Sequence, residues 1–243
     1  MQLEEYKNMF ELETTHWWYK TLHKLVETFV AKEFKGNHFK ILDAGCGTGR
    51  MMEILSKYGE VEGFDYSWLA VSLARNRGLK NVISGDLNEW DSPPNLYDII
   101  ISLDVLSCVD NDNVILKKIF NSLKPGATLI LNLPAFEILR RQHDVVVNTK
   151  KRYRKKNLIK DLTEIGFTIK TASYRQIHLF LFIFFWKIFR GIFRKNYQVK
   201  SDLKKSPQWI NTILEKIGSI ENHLIFRGVY LPFGSSLFIV AKK

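Results

Sequence analysis

Residues 41–49 have the sequence Ile-Leu-Asp-Ala-Gly-Cys-Gly-Thr-Gly, and this stretch decides the fold of the 243-residue chain. A short apolar run of strand type leads into a glycine turn, and a helix-type pattern follows from residue 49 to residue 58. Glycine permits positive φ angles and lets a ligand approach the backbone where a Cβ would collide with it. The stretch therefore predicts a nucleotide-type site formed by Asp43, Gly45, Cys46, Gly47 and Gly49.

The spacing of these glycines is Gly-x-Gly-x-Gly. A dinucleotide-binding fold prefers Gly-x-Gly-x-x-Gly, whose third glycine would fall at position 50, and this chain has Arg50 there. The spacing therefore weakens the interpretation as a pyrophosphate site.

Apolar runs alternate with helical patterns on both sides of the glycine turn, which predicts an α/β fold with a parallel, doubly wound sheet. A helix over residues 3–33 precedes the sheet. Predicted strands occupy 39–44, 61–65, 81–84, 97–103, 127–133, 167–174 and 236–241. Predicted helices occupy 49–58, 68–77, 113–122, 155–165 and 207–221.

Acidic residues stand at the end of the second predicted strand and just after the third. Asp65 can accept hydrogen bonds from both hydroxyls of a ribose, and Asp86 can accept one from an adenine amino group. Leu87 adds a backbone amide and an apolar face for the adenine ring. Each aspartate taken alone could instead cap the helix after it. Because the ends of successive parallel strands meet at one sheet edge, the three signals together favour a nucleotide site.

With these motifs, the chain resembles the class I S-adenosylmethionine-dependent methyltransferases. Residues 41–49 are similar to their first motif, Asp65 to their ribose-binding acid and residues 84–87 to their adenine motif. Residues 97–106 are similar to their fourth-strand motif, and residues 123–127 to the turn before strand five. The resemblance implies S-adenosylmethionine as cofactor, S-adenosylhomocysteine as product and a seven-stranded sheet whose last strand is antiparallel.

The subfamily that this chain resembles comprises small-molecule and glycolipid methyltransferases with a His-Trp-Trp-Tyr motif near the N-terminus, here His16 to Tyr19. We expect the N-terminal helix to close over the cofactor, with Trp18 facing the sulfonium charge. The tryptophans could equally pack this helix onto the sheet. Tyr66 and Leu103, at the ends of the second and fourth strands, complete the predicted cofactor-binding set.

Two places are candidates for a general base. His143-Asp144 precedes a basic Arg-Tyr pair, as a similar His-Asp pair does in the resembling subfamily, and His16 lies in the predicted lid. The alternative for His143-Asp144 is an exposed loop pair or a helix cap. Many relatives carry Glu-His after the fourth strand, whereas this chain has Ser107-Cys108. We interpret Cys108 as a small apolar filler rather than a nucleophile.

The size and composition of the chain fit a single domain over residues 1–243. We divide it into an N-terminal helical lid (1–38), a core (39–174), a helical insertion (175–230) and the last strand (231–243). Cys46 and Cys108 are the two cysteines, and their spacing suggests neither a metal site nor a disulfide framework. The acidic N-terminal stretch does not have the pattern of a secretory signal, so we expect a cytoplasmic protein.

The positive charge is concentrated in one part of the chain. The net charge is +11, and residues 139–205 contain 18 Lys and Arg against four Asp and Glu. Within this part, residues 177–186 are almost wholly apolar, and basic residues are interleaved with aromatic ones up to residue 195. Ten apolar residues are too few to span a bilayer, but this pattern suits a membrane interface. The alternatives are a buried helix, a dimer interface and a hydrophobic acceptor pocket.

The sequence predicts methyl transfer to an oxygen or nitrogen of a small-molecule or lipid-linked acceptor, with a sugar among the candidates. The basic stretch leaves an RNA methyltransferase as the first alternative, disfavoured because no appended RNA-binding module accompanies it. A non-catalytic protein that binds the cofactor or a membrane is the second alternative. We expect no metal and no DNA partner, a monomer or homodimer, and any peripheral contact at the inner face of the membrane.

Overall fold

A computed structural model describes residues 1–34, 36, 38–191 and 207–243, with residues 187–191 described by their backbone only. Seven strands form one sheet in the order β3-β2-β1-β4-β5-β7-β6. The strands are β1 (Phe39–Ala44), β2 (Gly59–Asp65), β3 (Val82–Ser84), β4 (Tyr97–Leu103), β5 (Leu123–Pro134), β6 (Thr168–Arg175) and β7 (Ser236–Lys242).

All neighbouring pairs among β1 to β5 are parallel, and β7 is antiparallel to both β5 and β6. The predicted fold class and the antiparallel last strand are both confirmed. Strand order reverses between β1 and β4, and ligands of open α/β sheets bind at the carboxyl ends of the strands beside such a switch point.

The helices that surround the sheet are α1 (Leu3–Leu12), α2 (Trp17–Glu33), α3 (Arg50–Leu55), α4 (Trp68–Asn76), α5 (Asp112–Ser122), α6 (Gln142–Val146), α7 (Lys155–Ile165), α8 (Ile177–Gly191) and α9 (Gln208–Phe226).

The core consists of two hydrophobic clusters, one on each face of the sheet, because successive strand side chains point to opposite faces. In β5, Leu129 and Leu131 join the cluster under α5 and α7, whereas Ile130 joins the cluster under α2, α3 and α4. The result is a three-layer helix-sheet-helix arrangement in which continuous apolar strands such as residues 99–101 are buried on both sides.

The prediction of one helix over residues 3–33 is wrong, because the chain breaks between α1 and α2. Adjacent β-branched residues, Thr14 and Thr15, occupy the break. His16 then caps α2, with its Nδ1 accepting a hydrogen bond from the backbone N–H of Trp18 at 3.3 Å. The break lets α1 turn away from α2 and lie over the glycine turn.

β5 begins four residues earlier than predicted. The Lys-Pro-Gly segment is not a separate turn before the strand: it lies within β5, at a register shift against β4. Gly126 has φ +77° there, and its N–H bonds to the carbonyl of Lys243 at 3.0 Å. The Lys-Pro-Gly segment is thus hydrogen-bonded at the sheet, whereas Pro-Gly is a sequence typical of a free turn.

The predicted insertion contains two different kinds of helix. α9 packs on α2, where Thr21 fits against Gly218, and its Ile225 is part of the core. α8 is the true elaboration, because only one of its sides faces the protein. Ile183 is buried, and the ring of Phe180 packs edge-on against Phe136 and at a tilt against Phe233, while the opposite side is exposed. The basic residues predicted beyond position 191 lie outside the described residues.

Candidate active site

The glycine turn lies between the carboxyl ends of β1 and β4, at the switch point of the sheet. Gly45 has φ +86°, and a Cβ there would lie 2.2 Å from the Val105 side chain. Gly49 has φ +83° at the start of α3, and a Cβ there would lie 2.4 Å from Leu79. Glycine alone combines an easy positive φ with the absence of a Cβ, so both positions require it. The turn can therefore pack closely against the neighbouring segments.

Hydrogen bonds within the protein engage four N–H groups of this turn. Those of Gly45 and Cys46 both donate to the carbonyl of Phe64 at 2.9 Å. The N–H of Gly47 donates to Asp65 Oδ2 at 3.0 Å, and that of Gly49 to the carbonyl of Cys46 at 3.0 Å. These donors are therefore not available to a pyrophosphate, in agreement with the glycine spacing.

Asp65, at the end of β2, is buried beside the turn. Its carboxylate accepts hydrogen bonds from the N–H of Gly47 and from the N–H of Ser67 at 2.9 Å. The hydroxyl of Tyr6 in α1 also donates to it, at 3.1 Å. Burial raises the pKa of Asp65, and these hydrogen bonds oppose the rise. A hydroxyl donor can therefore be bound at this carboxylate, which is the chemistry predicted for a ribose.

Asp43, the third residue of the decisive stretch, carries a buried carboxylate oxygen, Oδ2, that has no hydrogen-bond partner among the described residues. Burial raises the pKa of Asp43 to about 7, and the negative charges of Asp65 and Glu13 add to the rise. A buried carboxylate without a partner is unfavourable on its own. A cationic ligand at the turn would favour its ionised form.

α1 covers the glycine turn as a lid. Met9 lies against Gly47, and Glu13 accepts hydrogen bonds from the hydroxyl of Thr48 and, at 2.5 Å, from the guanidinium of Arg77. The same guanidinium lies 4.4 Å from the ring centroid of Phe10. Burial raises the pKa of Glu13, and its bonds to Thr48 and Arg77 oppose the rise. The lid is thus attached through a buried ion pair as well as through apolar contacts.

The predicted adenine-binding residues occupy the loop after β3. Asp86 Oδ1 accepts hydrogen bonds from the backbone and side-chain amides of Asn88, both at 2.8 Å. These hydrogen bonds close a turn, since no helix follows Asp86 before β4, and the adenine role stays a prediction. The side chain of Leu87 belongs to the core. Tyr66 is largely exposed, and Leu103 is partly buried at the end of β4, beside the switch point.

Asp104, directly after β4, is a site residue that the sequence reasoning missed. It is partly buried, has φ +64°, and receives hydrogen bonds on both carboxylate oxygens from Asn132 Nδ2 at 3.0 Å. Burial raises its pKa to about 6, while Asn132, Arg175 and Arg152 oppose the rise. A carboxylate with this pKa, held in a strained backbone conformation at the sheet's carboxyl edge, can accept a proton at neutral pH.

The predicted pair His143-Asp144 lies in α6. Asp144 is buried and binds Arg152 through two hydrogen bonds, 2.9 Å and 3.0 Å long, while it accepts a third from the N–H of Arg141 at 2.6 Å. These contacts show that Asp144 holds α6 in place against the segment that contains Arg152. His143 is partly buried, and its catalytic role stays a prediction. The N–H of Gln2 bonds to the carbonyl of Val146 and so joins this loop to the lid.

The aromatic cluster at the start of α2 has several contacts. His16 is the helix cap, and burial lowers its pKa. Trp17 is buried with its ring centroid 5.3 Å from that of His178. Trp18 donates from Nε1 to Gln176 Oε1 at 3.0 Å and packs edge-on against Tyr19. Trp17 therefore packs against α8, whereas Trp18 packs against the core cluster under α2. Cofactor contact by Trp18 stays a prediction.

Comparison with known proteins identifies this architecture. Residues 42–131 match a family model described as a methyltransferase domain. This stretch of the chain is therefore similar to methyltransferase domains. An S-adenosylmethionine-dependent methyltransferase from Mesorhizobium loti has the same fold, with a TM-score of 0.58 at 15% identity, over 90% of this chain and 96% of that structure.

The curated relatives of the chain match only part of it. A ubiquinone biosynthesis O-methyltransferase of Idiomarina loihiensis is 28% identical over 144 residues, which are 51% of this chain and 57% of the relative. A malonyl-[acyl-carrier protein] O-methyltransferase of Priestia megaterium is 28% identical over 116 residues, which are 45% of this chain and 42% of the relative. The chain thus aligns with about half the length of these relatives.

The fold that the family resemblance implied is therefore confirmed, and residues 42–131 match the methyltransferase family model. The predicted site residues at the ends of β1, β2 and β4 meet at one edge of the sheet. Tyr6, Glu13 and Arg77 were not predicted, because nothing in their local sequence signals a contact with residues so distant along the chain. Asp104 could have been found, since it directly follows a predicted strand and Asp65 stands at the end of another.

Among the described residues, no helix is long and apolar enough to cross a membrane. Within that same part of the chain, no three His, Cys, Asp or Glu side chains are grouped so that they could hold a metal ion. Burial raises the pKa of the Cys108 thiol, which makes it a poor nucleophile.

Proposed function

We propose that the protein transfers a methyl group from S-adenosylmethionine to an oxygen or nitrogen of a small-molecule or lipid-linked acceptor, and releases S-adenosylhomocysteine. The observation that carries the proposal is the unpartnered, buried Oδ2 of Asp43 beneath the glycine turn, next to Asp65, at the switch point of a methyltransferase fold.

The charge of the cleft suits this cofactor. Asp43, Asp65 and Asp104 each have a raised pKa, so each carboxylate would gain from a nearby cation. S-adenosylmethionine carries a sulfonium and an amine, whereas a dinucleotide carries a pyrophosphate. Asp65 would hold the ribose hydroxyls, and Asp43 with the glycine turn would hold the cationic part of the cofactor. Asp86 and Leu87 remain the proposed adenine contacts.

When bound, the cofactor supplies an activated methyl group. The protein then has to align the acceptor, exclude water and receive a proton where the acceptor is a hydroxyl. α1 excludes water by covering the turn. Asp104 is the base that the geometry favours, because Asn132 orients both of its oxygens and its pKa of about 6 leaves it ionised at neutral pH. His143 is the alternative base.

Incubation of the protein with [methyl-³H]S-adenosylmethionine and fractionated cell extracts, both aqueous and lipid, tests the activity. We expect tritium in an acid- or solvent-extractable product from one fraction. Asp104→Asn should lower the methylation rate with that fraction by about 10²- to 10⁴-fold, the usual contribution of a general base. The wild-type rate should fall as the pH drops below about 6, because protonated Asp104 accepts no proton. A large loss in His143→Gln with none in Asp104→Asn would assign the base to His143.

Peripheral membrane contact through residues 177–195 is the second part of the proposal, and the exposed side of α8 supports it. Phe182 is 64% exposed and Phe185 51%, and Leu181 and Trp186 are also exposed on this side. Seven Lys and Arg against one Asp follow in residues 187–205. Apolar residues next to a basic segment fit an anionic bilayer surface.

Flotation with vesicles of phosphatidylcholine alone or with 30% phosphatidylglycerol, a fraction on the order of that in anionic membranes, tests this contact. We expect binding to the anionic vesicles, and a loss of binding in Phe182→Ser/Phe185→Ser. Ile83→Ser is the matched control, because Ile83 is 63% exposed on β3 at the opposite edge of the sheet. Equal flotation of both variants, or dimerisation through α8 without flotation, would contradict membrane contact.

A further inference from the structure

Arg175, the last residue of β6, is a buried cation that forms no ion pair with the described residues. It is 1% exposed. Its guanidinium reaches Asn132 Oδ1 at 3.4 Å and Thr21 Oγ1 at 3.3 Å, both long hydrogen bonds to neutral groups. Its Nε has no hydrogen-bond partner in the described part of the chain. The charge is therefore only weakly compensated.

Two partly buried arginines of the same protein each have a carboxylate partner. Arg152 binds Asp144 through two hydrogen bonds, and Arg77 binds Glu13 at 2.5 Å. Burying an ion costs free energy, and Arg175 has no carboxylate partner among the described residues that offsets this cost. Burial lowers the pKa of Arg175 to about 10, with Glu221 and Asp104 opposing the shift, so its side chain stays charged at neutral pH.

The guanidinium of Arg175 lies near Asp104. Its contact Asn132 lies on β5 and also holds Asp104, the proposed base, so one amide side chain connects Arg175 to Asp104. β5 is two strands from β1 in the sheet order, which is about 10 Å at the usual strand spacing. The guanidinium is thus displaced from the glycine turn, where the cofactor would lie, toward β5 and β7.

A second donor without a partner lies next to it. Gln176 is buried, has φ +60°, and accepts hydrogen bonds on Oε1 from Trp18 and Ser235, while its Nε2 has no partner among the described residues. Trp18 and Thr21 are one helical turn apart on α2. The unpartnered donors of Arg175 and Gln176 therefore both lie beneath the same part of α2.

We propose that Arg175 and Gln176 form an oxyanion subsite, and that the methyl acceptor carries a carboxylate or a phosphate that binds there. This inference rests on the proposed function and names its substrate class. The acceptor's oxyanion takes the place of the absent carboxylate partner of Arg175, and it orients the acceptor's nucleophilic oxygen or nitrogen toward Asp104. Arg175 binds substrate in this account and transfers no proton.

Titration calorimetry tests the subsite with protein saturated with S-adenosylhomocysteine. The probes are inorganic phosphate and malonate, with malonamide as the neutral counterpart and the ionic strength held constant with chloride. We expect one or both anions to bind and malonamide not to bind. Tighter binding of phosphate than of malonate would assign a phosphorylated acceptor, and the reverse a carboxylated one.

Variants at Arg175 make the test specific. Arg175→Gln should weaken anion binding at least tenfold, and Arg175→Lys, which keeps the charge without Nε, should give an intermediate affinity. Arg227→Gln, an exposed arginine at the end of α9, should bind like wild-type. The ligand-free Arg175→Gln protein should have an equal or higher Tm, because it loses an uncompensated buried charge. A purely structural arginine would give a lower Tm.

The inference is wrong if neither anion binds, or if both bind Arg175→Gln as tightly as wild-type. It is also wrong if Arg175→Gln weakens S-adenosylhomocysteine itself, because Arg175 would then contact the cofactor's own carboxylate. Failure of S-adenosylhomocysteine to bind wild-type protein would instead overturn the proposed function, so the two failures are distinguishable in the same titrations.

Discussion

Replacing Asp65 by Asn perturbs the proposed cofactor site with the smallest change in shape. The carboxylate accepts hydrogen bonds from Tyr6, Gly47 and Ser67 in the ligand-free protein. The ribose of a bound cofactor would present two hydroxyl donors to it. Each hydrogen bond to a charged group contributes about 1.5 to 3 kcal/mol. Asn keeps a single, neutral oxygen, so the variant loses one such bond and weakens the other.

The expected result is a rise in the Kd of S-adenosylmethionine by about 10- to 100-fold, since each 1.4 kcal/mol is a factor of ten. Titration calorimetry measures it directly. Asp98→Asn is the matched control, because Asp98 is at the opposite end of β4 and binds Lys124 at 2.8 Å. The reasoning is refuted if Asp65→Asn, folded as judged by circular dichroism, binds within about threefold of wild-type.

Two further predictions concern pH and stability. S-adenosylmethionine should bind more tightly as the pH rises through about 7, because its positive charge favours the ionised form of Asp43. Asp43→Asn should remove this pH dependence. Calorimetry at pH 6 and at pH 8 compares the wild-type protein with the variant. Arg152→Met should lower the free energy of unfolding by about 3 to 5 kcal/mol, because it leaves Asp144 buried and unpaired. Urea denaturation measures this, and a loss below about 1 kcal/mol would show that the pair contributes little.

The sheet was predictable because its signals are local. Strands buried on both faces are continuous apolar runs, and the glycine turn after the first strand fixes where the cofactor cleft lies. Asp65 was predictable for the same reason, since it is the last residue of a strand. The limits of β5 were not, because Gly126 pairs with Lys243 at the far end of the chain.

The lid and the acceptor side depend on contacts that no local pattern encodes. Tyr6 reaches Asp65 across 59 positions, and Arg175 reaches Thr21 across 154. A helix with mixed polar and apolar residues gave no indication that Tyr6 would enter the site. Arg175 belonged, by sequence, to a basic stretch expected to face solvent or a partner, whereas the structure buries it.

The outward side of α8 shows a third reason why the structure could not be fully predicted from the sequence. Its composition predicted both burial and a membrane interface, and the fold contains both environments on one helix. Ile183 faces the core, whereas Phe182 and Phe185 face outward. Periodicity alone could not separate the two sides, because every position from 179 to 186 is apolar.

Titration of the purified protein with S-adenosylmethionine, S-adenosylhomocysteine and NAD tests the central claim most directly. The account predicts micromolar binding of the first two and none of NAD, because the acidic cleft and the engaged N–H groups of the glycine turn oppose a pyrophosphate. Binding of NAD without either adenosyl compound would contradict the account and would indicate a dinucleotide-binding protein.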